Sequence, residues 1–291
     1  MSPFDSDYLN AQYNNRALVP DFAAYLARWT VRSVALREQF ARAIDVPYAS
    51  DPREVLDVFA PTQDGQAGAS GRPVVVYIHG GYWRSLSKSE HSFVAAPFLA
   101  AGACVVVPNY PLCPAVTIPD IAQRLTLAFR WVHQNIASHG GDPSRITVVG
   151  HSAGGHLTAM MTRCDWRAVD PRLPADLVKG ALAISGLYDL SPIQHTPILQ
   201  VDLRLDDAQV RRASPVNFPA PSARDCAPVI HCVVGAQESD EFKRQSQLLR
   251  GKWGQAAVPV ATEIPDANHF SILDALTEAG NPLNQLALQM L

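Results

Sequence analysis

The stretch that most limits what this chain can become is Val148-Val149-Gly150-His151-Ser152-Ala153-Gly154-Gly155-His156. An apolar run ending at Val149 meets G-x-S-x-G, and a helix-compatible segment, Leu157 to Met161, follows at once. Strand, sharp turn and helix in that order are what a nucleophile elbow needs. Such a turn drives its serine into an unfavourable backbone conformation, in which side chains two residues to either side would collide. Gly150 and Gly154 remove both and leave the Ser152 hydroxyl exposed at the sheet edge. A plain glycine-rich turn carries the same letters, so the surrounding chain has to decide between the two.

The surroundings alternate between strand and helix. Phe22, Leu26, Trp29, Leu36 and Phe40 fall near one face at helical spacing, with Asp21 placed to cap the start. Leu56 to Phe59 reads as a short edge strand, and Gln63 to Gly71 as an exposed loop. Val74–Ile78 and Ala103–Val107 are continuous apolar runs, the signature of strands buried on both faces. A long helix is predicted from about Pro119 to Ser138, stopped by Gly140-Gly141, before the strand that feeds Ser152. Ala181–Ile184, Val229–Val234 and Val258–Ile264 are further strands, with helices over Glu241–Trp253 and Phe270–Glu278. Between them Leu190 to Pro221 shows no clean period and reads as an irregular cap of short helices. Repeated βαβ units predict an α/β class fold, a mainly parallel sheet with helices on both faces. Ligands in such sheets bind beyond the carboxyl ends of the strands, and each motif below lies just after a predicted strand.

Bulk properties narrow the function classes. With 47% hydrophobic and 18% charged residues over 291 positions, the chain suits a single large globular domain, residues 1–291, with a helical N-terminal segment over 1–50 and the cap over 190–221. A net charge of −3 offers no broad attraction to phosphate backbones, so no nucleic-acid partner is expected. No apolar run approaches the roughly 20 residues that span a bilayer, and Met1 to Asn10 is unlike a signal peptide. Five cysteines without C-x-x-C read as buried thiols in a reducing cytoplasm, Cys104 and Cys232 within apolar runs. The sequence leaves the oligomeric state open, a homodimer included.

A serine hydroxyl is a weak nucleophile at neutral pH and needs a base, which in turn needs an orienting acid. Where an elbow precedes its partners, the chain order is Ser, then Asp or Glu, then His. His269, in Asp266-Ala267-Asn268-His269-Phe270 after the last predicted strand, is the candidate base. The acid belongs in the loop after Val234, where Glu238 holds the third position after Gly235. Asp240 is the competing candidate, with helix capping as its other reading. His79-Gly80-Gly81-Tyr82-Trp83 supplies a turn whose amides face a bound acyl oxygen, so Gly80, Gly81 and Ala153 form the expected oxyanion hole. His79 is expected to brace that loop, and His151 and His156 to be structural. Tyr82 and Trp83 are candidates to line the substrate pocket, with a core role weighed equally. No metal-ligand spacing, dinucleotide fingerprint or phosphate-binding loop is present, so neither a metal nor a cofactor is expected.

Together these residues resemble the α/β-hydrolase fold, in the branch of hormone-sensitive-lipase-like esterases and serine-type kynurenine formamidases. The H-G-G-x-W form at His79–Trp83 is similar to the formamidase signature. So are Gln12-Tyr13-Asn14-Asn15-Arg16, Ser185-Gly186-Leu187-Tyr188-Asp189-Leu190 and Glu241-Phe242-Lys243-Arg244-Gln245-Ser246. The resemblance implies Ser152 as nucleophile and His269 as base. Its usual aspartate is replaced here by Glu238. It also implies hydrolysis of N-formyl-L-kynurenine to formate and kynurenine. The residues alone imply only acyl-bond hydrolysis through an acyl-serine, which leaves a carboxylesterase on short acyl or aryl esters as the alternative. A non-catalytic binding protein on the same scaffold is a more distant one.

Overall fold

The computed structural model describes residues 5–61, 71–221 and 228–291. The expected loop over 63–71 therefore lies, apart from Gly71, outside the described residues. Eight strands form one sheet: β1 (Ala41–Pro47), β2 (Val55–Phe59), β3 (Arg72–Ile78), β4 (Cys104–Pro108), β5 (Gly141–His151), β6 (Val178–Ile184), β7 (Val229–Gly235) and β8 (Ala261–Ile264). Their order is β1-β2-β4-β3-β5-β6-β7-β8, parallel from β4 to β8, with β1 and β2 antiparallel at one end. This is the expected α/β class.

Why the central strands read as unbroken apolar runs is plain from their two faces. Val74, Val76 and Ile78 of β3 join one hydrophobic cluster, while Val75 and Tyr77 join the other. Helix Ile118–Asn135 covers the first face with Ile121, Leu125, Phe129 and Val132. A capping box between Thr117 and Asp120 starts it, and Gly140, at φ +83°, ends the turn that follows. Helix Phe22–Phe40 lies over the second face, burying Trp29 and Leu36. Helices Ile272–Thr277 and Pro282–Leu288, the latter started by an Asn281 cap and Pro282, complete that layer.

Two local expectations need correction. Asp21 stands at the helix N-cap, but at φ −89° and ψ 16° its side chain makes no capping bond. Leu56–Phe59 is not at the edge, because β1 pairs outside it. Three charged groups explain the arrangement. Asp57, buried on β2, takes Lys88 Nζ at 2.7 Å, the backbone N–H of Asp45 at 2.9 Å and the Arg37 guanidinium. The half-exposed β1 is thus pinned by ions rather than by an apolar stripe.

The segment between β6 and β7 contains short helices Ser191–Gln194, Pro197–Leu203 and Asp207–Ala213. The described cysteines, Cys104, Cys113, Cys164 and Cys232, are all unpaired thiols. Among the described residues no helix is long and apolar enough to cross a membrane.

Candidate active site

β5 delivers the chain to Ser152, which sits at φ 58° and ψ −120° before helix Ala153–Thr162. A β-carbon on Gly150 would lie 2.3 Å from the Gly154 carbonyl oxygen, and one on Gly154 2.0 Å from that of Ile78. Only glycine fits either position, so the spacing G-x-S-x-G is a packing requirement of this turn. The Ser152 amide bonds Ile184 O at 2.8 Å, fixing the turn to β6.

His269 follows β8 on a tight turn. Asn268 Oδ1 accepts the amides of Phe270 (2.8 Å) and Ser271 (2.9 Å), while the Asn268 amide donates to Ser271 Oγ. The imidazole so held places Nε2 3.1 Å from Ser152 Oγ and Nδ1 2.6 Å from Glu238 Oε2. Phe242 and His151 flank the ring with centroids at 4.6 and 4.7 Å. His151 Nε2–H donates to the His269 carbonyl at 2.9 Å. Burial depresses the His151 pKa well below its ordinary value, and the neighbouring His269 ring depresses it further, so it acts as a neutral strut.

Glu238 is buried, and its second oxygen accepts from the Gly235 amide (2.8 Å) and the Ser185 hydroxyl (2.5 Å). A β-carbon on Gly235 would meet Ala267 O at 2.2 Å, so glycine there lets the acid loop close against the histidine loop. Asp240 is exposed in the first turn of helix Asp240–Trp253, away from His269, and Ser239 rather than Asp240 is the cap. Of the two acid candidates, the structure brings only Glu238 to the histidine.

Past β3 the backbone runs through positive φ at Gly81 (114°), Tyr82 (50°) and Trp83 (56°). A β-carbon on Gly81 would strike Ser85 O at 2.1 Å. Among the described residues no acceptor takes the amide hydrogens of Gly80, Gly81 or Ala153. Gly80 and Gly81 line the cleft together with Ser152, and Ala153 follows it at the helix start. His79 is fully buried, stacks on Tyr110 at 4.3 Å, and donates Nδ1–H to Gly80 O at 2.8 Å. Burial lowers its pKa well below the ordinary value, in keeping with a bracing role.

Tyr82 and Trp83 part company. Tyr82 lines the cleft beside Ser152, and its hydroxyl donates to Tyr13 O at 2.8 Å. Trp83 does not reach the cleft, which corrects its placement in the pocket. At 0% exposure its indole donates Nε1–H to His156 Nδ1 at 3.1 Å, and His156 Nε2–H reaches Ala213 O at 2.6 Å. Burial brings the His156 pKa down to about 4, so the ring stays a neutral link between the turn after β3 and the elbow helix.

The cleft has a volume of about 680 Å³, open solvent included, and its walls include residues that spacing alone did not mark: Tyr13, Arg16, Trp29, Ile198 and Phe270. The three stretches singled out by resemblance meet behind it. Tyr13 Oη–H donates to Glu241 Oε2 at 2.7 Å, and Gln245 Nε2 donates to Tyr13 Oη and to Asp189 O. Gln245 Oε1 accepts the amides of Tyr188 and Asp189, both at 2.8 Å.

The chain is similar to several known proteins. A family model described as BD-FAE matches residues 56–196. Kynurenine formamidase of Danio rerio is 31% identical over 98% of this chain and 96% of its own length. Its Salmo salar counterpart is 32% identical, covering 88% of this chain and 87% of that protein. The solved carboxylesterase EstE1, cloned from a metagenomic library, shares the fold at TM-score 0.68 and 19% identity, covering 92% of each chain. An α/β-hydrolase fold and relatives matched almost end to end lead to one conclusion: the chain is a hydrolase and belongs to the kynurenine formamidase family.

Proposed function

We propose that the chain hydrolyses an aryl formamide such as N-formyl-L-kynurenine, releasing formate and kynurenine through a formyl-serine intermediate. The observation that carries this reading is the line Ser152 Oγ–His269–Glu238, with contacts of 3.1 and 2.6 Å. In it, Ser152 Oγ attacks the formyl carbon as His269 Nε2 takes its proton. The oxygen of the tetrahedral intermediate is received by the amides of Gly80, Gly81 and Ala153, a type of site in which losing one donor costs about 10²–10³ in rate. His269 then returns the proton to the departing aniline nitrogen, which as a free amide anion could not leave. A water, deprotonated by the same histidine, attacks formyl-Ser152, and formate departs. Glu238 accepts from His269 Nδ1, holding the imidazole in one tautomer and stabilising the imidazolium.

The same machinery suits short acyl or aryl esters, whose leaving groups need less protonation, so a carboxylesterase is the second reading. In both readings residues 1–50 and 190–221 wall the cleft of a single domain. The proposed compartment is the cytoplasm, in line with the unpaired thiols of Cys104, Cys113, Cys164 and Cys232. Two measurements test the proposal. A fluorophosphonate should modify Ser152, and kcat/KM for N-formyl-L-kynurenine should exceed that for p-nitrophenyl acetate. A large ester preference overturns the formamidase reading, and an unmodified Ser152 overturns the mechanism.

A further inference from the structure

Charge in the cleft is one-sided. Arg16 and Arg84 both line it, and no aspartate or glutamate does among the described residues. The two arginines are not equivalent. Arg84 is already engaged, its Nη1 bonding Asp202 at 2.6 Å and Ile198 O at 2.9 Å. Arg16 has no carboxylate within ion-pair distance among the described residues, and its guanidinium rests over the Phe22 ring at 5.2 Å. Phe22 packs against Phe270 at 6.0 Å, and Phe270 directly follows His269. Phe270 also stacks on Tyr25 and packs against Trp29. An aromatic wall therefore runs from the imidazole toward an exposed guanidinium at the cleft.

We infer that Arg16 binds the carboxylate of an aromatic substrate, making this cleft selective for aryl amides that carry a carboxylate over those that lack one. The inference rests on the formamidase reading for the scissile bond, but not for the recognised charge. One unpaired guanidinium matches one carboxylate and offers it a bidentate, charge-assisted pair. A doubly charged phosphate would leave half of its charge unmatched. Arg16 is exposed, so solvent screens the pair and its worth lies in the bidentate geometry and the supporting ring. Phe22 keeps the guanidinium plane in place, which limits the entropy lost on binding.

The test compares N-formyl-L-kynurenine with its carboxamide on the wild type, Arg16→Gln and Arg16→Lys. For the wild type, kcat/KM favours the acid by about 2- to 5-fold, the worth of an exposed ion pair. Arg16→Gln collapses that ratio toward one through KM, while Arg16→Lys restores part of it. Raising the salt concentration shrinks the wild-type ratio and leaves that of Arg16→Gln unmoved. An acid-to-carboxamide ratio unchanged in Arg16→Gln, with thermal melting showing the variant folded, overturns the inference. Should neither formamide be cleaved, the same ratio is read on an aryl acetate bearing a carboxylate and on its carboxamide twin. Failure of the formamidase reading is thereby separated from failure of Arg16.

Discussion

Glu238 divides its two oxygens between two tasks. One is saturated by the Gly235 amide and the Ser185 hydroxyl, leaving the other to face His269 Nδ1 alone. Glu238→Gln keeps the shape and removes the charge, so kcat should fall about 10⁴-fold with KM little changed. Asp240→Asn, at an exposed helix start, should stay within a factor of about two, and steady-state kinetics on both variants check the pair. Trp83 belongs to a different ledger. Replacing it with Phe leaves His156 Nδ1 buried without a donor, which should cost about 1–3 kcal/mol in urea unfolding. Ser152 and His269 were legible in the sequence because each sits in a local turn motif beside its strand. The direction of Trp83 was not, since it depends on a left-handed backbone at φ 56° that the letters H-G-G-Y-W do not declare. Arg16 stayed hidden as a site residue because nothing local links it to Ser152, 136 positions away along the chain.

Elements meet the same limit in a different form. The central strands were legible because burial on both faces requires continuous apolar runs. β1 was not, because it is held by Asp57, Lys88 and backbone pairing, and its residues Arg42, Ile44 and Asp45 carry no pattern. Such an ionic anchor joins parts distant in sequence and leaves no local period. The N-terminal helix Ser6–Tyr13 is tied down likewise, by Tyr13 to Glu241 and Gln245 on helix Asp240–Trp253. Through Tyr82 Oη to Tyr13 O, that tie also reaches the turn bearing Gly80 and Gly81. Tyr13→Phe should therefore lower Tm by a few degrees, for a loss of about 1–3 kcal/mol, and lower kcat/KM as well. Differential scanning fluorimetry with kinetics on one preparation reads both effects. Unchanged kinetics would show that the N-terminal helix is only a structural clasp.

For the whole molecule, buried histidines set the response to acid. Burial lowers the pKa of His79, His91, His151 and His156, the last to about 4, against about 6.5 in an unfolded chain. Between those values the unfolded chain binds more protons, so stability is complete above about pH 6.5 and falls as the pH drops toward 4. His156 alone accounts for about 3 kcal/mol across that window. The urea midpoint should therefore drop clearly from pH 7.5 to pH 5, and a flat profile would contradict this placement of the histidines. For the described thiols, desolvation has the opposite electrostatic result. Burial raises Cys104 to about 11 and Cys113, Cys164 and Cys232 to about 12, so at neutral pH hardly any thiolate exists. For chemical probing this makes the molecule unusually selective. Iodoacetamide at pH 7.5 should spare these four sulfurs and the activity, with any adduct mapping to Cys226, the fifth cysteine, which lies outside the described residues. Iodoacetamide treatment and phosphonylation to count working serines can then be run on one sample, with intact mass reporting each adduct.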